Sequence, residues 1–460
     1  MQTSDNSICV IGSGLAGSEC AYQLAKRGLK VILVEMRPIK KSPVHHTDKA
    51  AELVCSNSLR SNDIMNAVGL IKNEMSSLDS LVVRAAYKAR VPAGSALAVD
   101  RDAFSDFVTA TLKAQNNITF FSGEVTGVDR EDDIFKIRFE DGKSLLAQHV
   151  VVATGPLTAD SLSHWIAEKT GHDYLYFYDA IAPIIERDSI NMNMAFKASR
   201  WDRGEDEEGD YINCPMEKPE YEAFVDALQN AELIEVHDFD KAQFFEACLP
   251  IEVMAGRGVD VLNHGPMKPV GIQNPHTPTA KPYAVVQLRQ DNLHATLYNM
   301  VGFQTRMKWG EQTRIFRTIP GLENAEFVRL GSMHRNTYLC SPVLLGPGME
   351  LKSLSGIHFA GQITGCEGYV ESAAVGLYVA LHLAKRIQNK VSLEIPPATT
   401  ALGALIHHIL KADPSKYQPM NVNFGLFTPL EKHFAKIEKK AEIVKRATLD
   451  FCRWIYDSLE

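Results

Sequence analysis

Short apolar runs alternate with helical patterns in the first part of the chain, as they do in βαβ units. Residues 8–11 (Ile-Cys-Val-Ile) and 31–34 (Val-Ile-Leu-Val) are apolar runs of strand length, and the helical pattern between them ends at Gly28. Continuous apolar runs of this kind are typical of parallel strands that are buried on both faces. The pattern therefore predicts a parallel sheet that begins close to the first residues of the sequence.

The same periodicities predict further elements up to residue 155. Helices are expected at 67–81 and 103–114, and strands at 119–122, 123–129, 134–139 and 145–153. The last strand is almost wholly apolar and stops at Gly155-Pro156. This is expected of a central parallel strand whose end meets a ligand crevice.

The character of the chain changes after about residue 174, where a Pro- and Gly-rich stretch and an alternating strand pattern at 283–288 appear. A strand is then predicted at 356–361 and a helix at 368–385, both with apolar patterns like those of the first part. Further helices are predicted at 401–411 and 430–457. The predicted fold class is α/β: a Rossmann-like domain built on the parallel sheet, an inserted α+β domain and a helical C-terminal tail. The expected boundaries are 1–173, 174–324, 325–388 for the return segment, and 389–460.

The glycines after the first strand have the spacing G-x-G-x-x-G of a dinucleotide fingerprint. Gly12 suits the tight turn, Gly14 the approach of a pyrophosphate, and Gly17 the close packing of helix on strand. Glu35 closes the second strand, where a carboxylate accepts hydrogen bonds from an adenosine ribose. The alternative is a glycine-rich turn without a ligand, but the strand, helix and terminal acid in register favour a dinucleotide site. Its expected residues are Gly12, Ser13, Gly14, Leu15, Ala16, Gly17 and Glu35.

Composition narrows the class of protein further. With 460 residues, 45% of them hydrophobic, the chain can bury more than one core. We find no apolar run long enough for a membrane span, so a cytoplasmic protein that does not contact a membrane is expected. The eight cysteines include no C-x-x-C pair, and His45-His46 lacks a third ligand nearby in sequence. No metal site is therefore predicted.

The net charge of −8 conceals an uneven distribution. Residues 201–246 hold 15 acidic and 3 basic side chains, which leaves a net charge of +4 on the remainder. Residues 285–335 have seven Lys or Arg against four Asp or Glu, and residues 430–446 have six against three. These two segments are candidates for contacts with RNA phosphates, for example through Arg306, Lys308 and Arg314. The alternative for each segment is a solvated surface.

Long motifs along the chain resemble a known family. They are GSGLAGSECAYQLAKRG, HHTDKAAELVCSNSLRSN, VPAGSALAVDR, FFEACLPIEVMAGRG, GPMKPVG, YAVVQLRQDN, VGFQTRMKWGEQ, LGSMHRNTYL and FAGQITGCEGYVESAAVG. Together they are similar to the folate- and FAD-dependent tRNA (uracil-5-)-methyltransferases, the TrmFO family, up to about residue 430.

The resemblance implies a cofactor, a reaction and site residues. The dinucleotide is expected to be FAD, with Gly361, Gln362 and Thr364 on the flavin side. Methylenetetrahydrofolate is expected to supply a one-carbon unit, NAD(P)H to act as reductant, and 5-methyluridine in the T loop of tRNA to be the product. The two cysteines of the family's motifs fall on Cys55 and Cys248.

Two thiols also make chemical sense. The C5 carbon of uracil becomes nucleophilic only after a nucleophile adds at C6, and its proton must then be removed by a base. We assign Cys248 as the nucleophile and Cys55 as the acid/base partner. A thiolate needs a cationic neighbour, and Arg60 and Arg257 are the nearest in sequence.

Three alternatives stay open. Relatives with the same motifs act on a ribosomal RNA uridine instead. The glucose-inhibited division protein A family of the same superfamily modifies wobble uridines, but its members are longer and lack the two cysteine motifs. A flavin oxidoreductase acting on a small molecule would show no salt-dependent affinity for RNA.

Overall fold

A computed structural model describes residues 7–42, 44–171, 175–202, 204, 206, 208–234, 249–277, 279–432 and 434–459, without the side chains of 175–179, 334–335 and 436–437. Its strands are β1 (Ser7–Ile11), β2 (Lys30–Glu35), β3 (Ser58–Ser61), β4 (Arg90–Val91), β5 (Ala96–Val99), β6 (Ile118–Ser122), β7 (Val125–Glu131), β8 (Ile134–Phe139), β9 (Ser144–Ala147), β10 (His149–Val152), β11 (Leu175–Ala180), β12 (Ile184–Glu186), β13 (Phe196–Ala198), β14 (Tyr211–Met216), β15 (Ala284–Gln290), β16 (Leu297–Met300), β17 (Phe327–Arg329), β18 (Met333–Tyr338) and β19 (Ile357–Phe359). Its α-helices are α1 (Leu15–Lys26), α2 (Ala67–Ser77), α3 (Leu81–Lys88), α4 (Arg101–Lys113), α5 (Asp160–Thr170), α6 (Lys218–Gln229), α7 (Ile251–Gly256), α8 (Val261–His264), α9 (Trp309–Phe316), α10 (Ser341–Leu344), α11 (Tyr369–Asn389), α12 (Ala401–Lys411) and α13 (Lys436–Leu459).

The central sheet has five parallel strands in the order β19-β10-β1-β2-β6. Strand β1 lies in the middle, and its residues are all buried, as the apolar run predicted. Because parallel strands point the same way, the loops after β1, β2, β10 and β19 meet at one edge of the sheet. The fingerprint, Glu35, Gly155-Pro156 and Gly361 are thereby brought to the same crevice.

Helices α1 and α11 pack closely against each other beside this sheet. A Cβ atom added to Gly376 of α11 would lie only 2.2 Å from the carbonyl oxygen of Ala16 in α1. No side chain larger than hydrogen fits at such a contact, so Gly376 allows the two helix backbones to touch. This contact brings the N-terminus of α11, which follows β19, next to the N-terminus of α1.

A second core belongs to the middle of the chain. The strands of its six-stranded sheet are ordered β13-β14-β15-β16-β12-β17, and its buried side chains run from Ala182 to Ala325. The first core is built from residues before Ala182 and after Ala325, and it includes Ala401 of α12 and Trp454 of α13. This arrangement supports the proposed domain boundaries, which stay a proposal, and it makes the C-terminal helices part of the first core.

Two predicted elements differ in the structure. The helix predicted at 67–81 ends at Ser77 as α2, because Asp79 has a positive φ of 56°, and Ser80 then caps the amide of Val83 in α3, a helix over residues 81–88 that the sequence pattern does not predict. The strand predicted at 145–153 is split into β9, which pairs with β8, and β10, which joins the central sheet. Helix α6 lies in the acidic segment, where the sequence pattern predicts no helix.

Candidate functional site

The three glycines of the fingerprint meet three different spatial demands. Gly12 has a φ of +101°, and an added Cβ would lie 2.6 Å from the carbonyl oxygen of Ala153. An added Cβ on Gly17 would lie 1.8 Å from the carbonyl oxygen of Gly12, whereas one on Gly14 would meet nothing within 4 Å. Gly12 and Gly17 are thus required by the protein itself. Gly14 faces open space, as expected where a phosphate approaches the backbone.

The N-terminus of α1 is arranged for an anion. Gly14 is its N-cap and has no side chain to satisfy the free amides, and the first turn contains no acidic residue. The first amides of a helix lack partners within the helix, and the helix dipole favours negative charge there. A pyrophosphate would satisfy these amides. The twelve-residue helix therefore fits the group that the fingerprint predicts.

Glu35 stands at the end of β2 as an ionised carboxylate. One of its oxygens accepts hydrogen bonds from the amide of Ser13 at 2.9 Å and from the hydroxyl of Ser13 at 2.8 Å, and the guanidinium of Arg37 binds both oxygens. Burial raises the pKa of the Glu35 carboxyl, but the hydrogen bonds from Arg37 and Ser13 outweigh it and lower the pKa to about 2. Glu35 is thus a fixed acceptor, and Ser13 acts by holding it.

These groups line what we call the first crevice, which has about 1060 Å³ of space including the solvent at its mouth. Its walls include the fingerprint, Glu35, Gly155-Pro156, and residues from the start of α11. Lining residues from the ends of β1, β2 and β10 and from the start of α11 suit a dinucleotide, which spans the crevice at the carboxyl edge of such a sheet. The expected residues that line it are Gly12, Gly14, Leu15, Ala16, Glu35 and Gln362.

The junction after β19 forms the far end of this crevice. Gly361 has a φ of +83°, and its added Cβ would lie 2.6 Å from the Cβ of Ala16. Gln362 lines the crevice and donates from its side-chain nitrogen to Glu367 at 2.6 Å. Thr364 is fully buried, and its hydroxyl donates to the carbonyl of Gly361 at 2.7 Å. Gly361 and Thr364 therefore shape the turn, while Gln362 presents a side chain to the crevice.

A second crevice, of about 1110 Å³ including open solvent, contains Cys55. It adjoins the first, because five residues line both of them: Val54, Pro156, Leu157, Gln362 and Tyr369. Cys55 is partly exposed. A molecule in the second crevice would therefore lie between the Cys55 thiol and whatever the first crevice holds.

The backbone of Cys55 is fixed by residues that are distant in sequence. Its amide donates to the hydroxyl of Tyr369 at 2.7 Å. Its carbonyl accepts hydrogen bonds from Arg101 and Arg329, both at 2.8 Å. Burial alone would lower the pKa of Arg101, but the carboxylate of Asp291 at 2.9 Å raises it, so this guanidinium stays charged.

The cations near Cys55 differ from those that sequence proximity predicted. Arg60 lines the second crevice, but its guanidinium pairs with the buried carboxylate of Glu371. Arg101 and Arg329 contact Cys55 instead, although they lie 46 and 274 residues further along the chain. Arg101 ends the motif VPAGSALAVDR, but no local signal in the sequence links either arginine to Cys55.

Cys248 lies outside the described residues, so its role stays a prediction. Ile251, three residues further along the chain, donates its amide to the carbonyl of Gln304 at 2.7 Å. Gln304 lines a small pocket together with Cys55.

The predicted RNA-binding arginines and lysine are paired with carboxylates. Arg306 is buried, with its guanidinium 3.8 Å from Glu252. Lys308 lies 2.9 Å from Glu232, and Arg314 lies 2.6 Å from Glu311. Arg306 is therefore a structural residue, and the prediction that it contacts phosphate is not supported.

Helix α13 has a better arrangement for contacts with phosphates. Its residues Ile443 and Phe451 pack into the first core, while Lys439, Lys440 and Lys445 are exposed. Within the described part of the chain these three lysines form no ion pair. The second basic segment thus presents positive charge to solvent.

The histidine pair predicted at the surface is divided between two environments. His45 lines the first crevice, and His46 is exposed. Burial and the nearby Arg37 lower the pKa of His45 to about 4. Among the residues that the structure describes, no group of three or more His, Cys, Asp or Glu could hold a metal ion. No helix in the same residues is long and apolar enough to cross a bilayer.

Fold and site together define a dinucleotide-binding α/β protein with a thiol beside its ligand crevice. Residues 7–391 match the family model described as glucose inhibited division protein A. The methylenetetrahydrofolate--tRNA-(uracil-5-)-methyltransferase TrmFO of Listeria monocytogenes is 52% identical, over 96% of this chain and 97% of that one. The protein of that name from Bartonella tribocorum is 50% identical over 99% of this chain and 97% of its own. The one from Staphylococcus saprophyticus is 54% identical over 92% of each chain. This chain belongs to the TrmFO family.

A solved structure supports the fold. Aquifex aeolicus GidA in its form II crystal superposes with a TM-score of 0.70 at 15% identity, and the match covers 97% of this chain and 73% of that one. At this identity the likeness bears on the fold alone. The α/β fold with a parallel nucleotide-binding sheet and C-terminal helices, predicted from the sequence, is confirmed.

Proposed function

We propose that this chain methylates the C5 carbon of a uridine in the T loop of tRNA, using methylenetetrahydrofolate as the carbon donor, FAD as cofactor and NAD(P)H as reductant. Membership of the TrmFO family supports the uracil-5 methylation of tRNA and the use of methylenetetrahydrofolate as the carbon donor. The observation that carries the chemistry is the contact between the two crevices, since it places Cys55 next to the dinucleotide site.

The first crevice fits FAD on its own geometry. The uncapped N-terminus of α1 would bind the pyrophosphate, Gly14 would leave room for it, and Glu35 stands where the adenosine ribose is expected. Gln362, and the turn that Gly361 and Thr364 shape, would lie on the flavin side. When it is bound there, FAD supplies the reducing equivalents, taken from NAD(P)H, that convert a transferred methylene group to methyl.

The protein's own groups act on the uracil ring. The thiolate of Cys248 adds to C6, which makes C5 nucleophilic and allows it to form a bond to the one-carbon unit, while the bond from that carbon to its donor nitrogen breaks and the nitrogen keeps the electron pair. Cys55 then accepts the proton that leaves C5. Expulsion of the Cys248 thiolate from C6 restores the ring double bond and frees the enzyme.

The surroundings of Cys55 suit this task. Arg101 and Arg329 bind its carbonyl, so a thiolate formed there lies in a positive field. Tyr369 fixes the amide, and burial raises the pKa of its phenol, which keeps that hydroxyl neutral. The loop is thus held in place before the substrate arrives, which lowers the cost of orientation.

The decisive experiment follows labelled carbon. The purified protein is incubated with labelled methylenetetrahydrofolate, NAD(P)H, and unmodified tRNA or ribosomal RNA transcripts, and the labelled nucleotide is mapped. We expect label in 5-methyluridine of the tRNA T loop. Label in the ribosomal transcript alone would identify the alternative substrate, and no label in either RNA would refute the proposal.

Cysteine variants test the two roles. Cys248→Ala should abolish both methyl transfer and the stable adduct with a transcript that carries 5-fluorouridine at the target, since fluorine cannot leave C5 as a proton does. Cys55→Ala should stop turnover while still permitting attack at C6. Cys452→Ala, at an exposed cysteine on α13, is the matched control and should behave as wild type. An adduct that survives Cys248→Ala and requires Cys55 would exchange the two roles.

A further inference from the structure

A small pocket opens on the side of Cys55 that faces the inserted domain. It has about 370 Å³ including open solvent, and its walls include Cys55, Ser56, Arg289, Asn299 and Gln304. We infer that this pocket receives the flipped uracil base, and that the amides of Asn299 and Gln304 recognise its imide edge. The inference rests on the proposed function and adds the residues that distinguish uracil from other bases.

Size and position favour a single base. The pocket is the smallest of the three, with about 370 Å³ of space including open solvent against about 1060 and 1110 Å³ for the two crevices. It shares Cys55, Ser56 and Arg289 with the second crevice. A planar base in it would therefore have one edge at Cys55, where the pocket meets the second crevice and through it the first. A uridine stacked in RNA must leave its stack to reach such a place.

Two side-chain amides that line the pocket form no hydrogen bond with any residue that the structure describes. They belong to Asn299, which is only 3% exposed, and to Gln304, which is partly buried. Neither amide is sealed inside the protein, so the polar atoms of both reach the space of the pocket. An amide left open inside a pocket is therefore a group available to a ligand.

The register of the inserted sheet determines the direction of Asn299. Its neighbours Tyr298 and Met300 pack into the second core, and successive residues of a strand point to opposite faces. Asn299 therefore lies on the face away from that core. Arg289 of β15 is its direct cross-strand partner. Side chains of such partners lie next to each other on the same face of the sheet.

Arg289 provides a charge at the same place. It is buried, and it donates to the hydroxyl of Ser56 at 2.7 Å and to the side-chain oxygen of Asn57 at 3.0 Å. It forms no ion pair with a carboxylate of the described residues, and its Nη1 donates to none of them. When a thiolate adds to C6 of uracil, negative charge develops on O4. A fixed guanidinium beside that oxygen would stabilise the charge.

The guanidinium of Arg289 has only donors, so it fits the O4 acceptor of uracil and not the amino group of cytosine. The imide edge of uracil presents acceptor, donor and acceptor groups in order, and a side-chain amide both donates and accepts. Cytosine instead presents an amino group, which a carboxylate accepts. Asn299→Asp should therefore weaken recognition of uridine and improve that of cytidine, a change that a loss of folding could not mimic.

The test measures the rate of adduct formation with a tRNA transcript carrying 5-fluorouridine at the target. A second measurement is the inhibition of that rate by transcripts with uridine or cytidine at the same position. Asn299→Ala, Asn299→Asp and Gln304→Ala are compared with wild type and with Asn193→Asp, which makes the same charge change at an exposed residue of the inserted domain. Bound FAD, followed by its absorbance, reports whether each variant is folded.

We expect the Asn299 and Gln304 variants to retain FAD and to form adduct about tenfold to a hundredfold more slowly. Asn299→Asp should also shift the ratio of inhibition by cytidine and uridine transcripts about tenfold towards cytidine. If both amide variants react like Asn193→Asp while wild type forms the adduct, the inference is wrong and the proposed function stands. If wild type forms no adduct and transfers no methyl group to any transcript, both are overturned.

Discussion

Replacement of Gly14 by alanine should separate cofactor binding from folding. Gly14 has φ and ψ of −65° and −171°, which any residue adopts, and an added Cβ would meet no protein atom within 4 Å. The free energy of unfolding of the flavin-free variant should therefore lie within ~0.5 kcal/mol of that of flavin-free wild type. The new methyl group occupies the space through which the pyrophosphate reaches the backbone. Overpacking of this kind costs ~1–3 kcal/mol, which corresponds to roughly a fivefold to 150-fold weakening of FAD affinity.

Gly17→Ala is the matched comparison, because it adds the same methyl group at a contact within the protein rather than at the ligand. Its Cβ would lie 1.8 Å from the carbonyl oxygen of Gly12, so helix α1 must move away from the strand. We expect the flavin-free protein to lose at least ~1–3 kcal/mol of stability. Denaturant unfolding of the flavin-free proteins and FAD titration followed by flavin fluorescence measure the two effects. Normal FAD affinity in Gly14→Ala, or unchanged stability in Gly17→Ala, would refute this account of the fingerprint.

Three further predictions concern charged side chains. The lowered pKa of Glu35 contributes ~3 kcal/mol to the free energy of unfolding. This stabilisation is fully present above pH 4.5 and is lost as the pH falls to about 2. The unfolding free energies of wild type and Glu35→Gln should therefore converge over that interval. Arg306→Ala should cost about 1–3 kcal/mol of stability by leaving Glu252 without its cation, and the salt dependence of tRNA affinity should not change. Removing the charges of Lys439, Lys440 and Lys445 together should leave stability unchanged. It should reduce the slope of log tRNA affinity against log salt concentration by up to ~0.9 for each phosphate that the protein no longer neutralises. Filter binding at several salt concentrations measures this slope.

The parts of the candidate site whose relative positions follow from sequence are local ones. Gly12, Gly14, Gly17 and Glu35 lie within 24 residues, and a single βαβ unit determines their relative positions. The strand and helix around Gly361 are predicted for the same reason. Apolar runs also identify β1, β2 and β10 as members of a buried parallel sheet, because strands that are buried on both faces consist almost wholly of apolar residues.

The parts that sequence patterns miss depend on partners far away in the chain. Helix α3 begins where it does because the buried carboxylate of Glu19, in α1, accepts hydrogen bonds from the amides of Leu81 and Val82. The pattern along residues 67–81 contains no information about Glu19, so it predicts one long helix. The charge of the basic segment that includes Arg306 likewise says nothing of Glu252, which neutralises that arginine and lies 54 residues earlier.

The surroundings of Cys55 show why the chemistry of the site depends on the whole fold. Its amide is held by Tyr369 at the start of α11, and its carbonyl by Arg101 at the start of α4 and Arg329 at the edge of the inserted sheet. A motif reveals that a thiol is present, but the charge around it and the pocket in front of it form only when these segments meet. Since Tyr369 also lines the first crevice, a single side chain connects the backbone of Cys55 to that crevice. The loop of Cys55 is therefore positioned by the same helix N-terminus that lines that crevice.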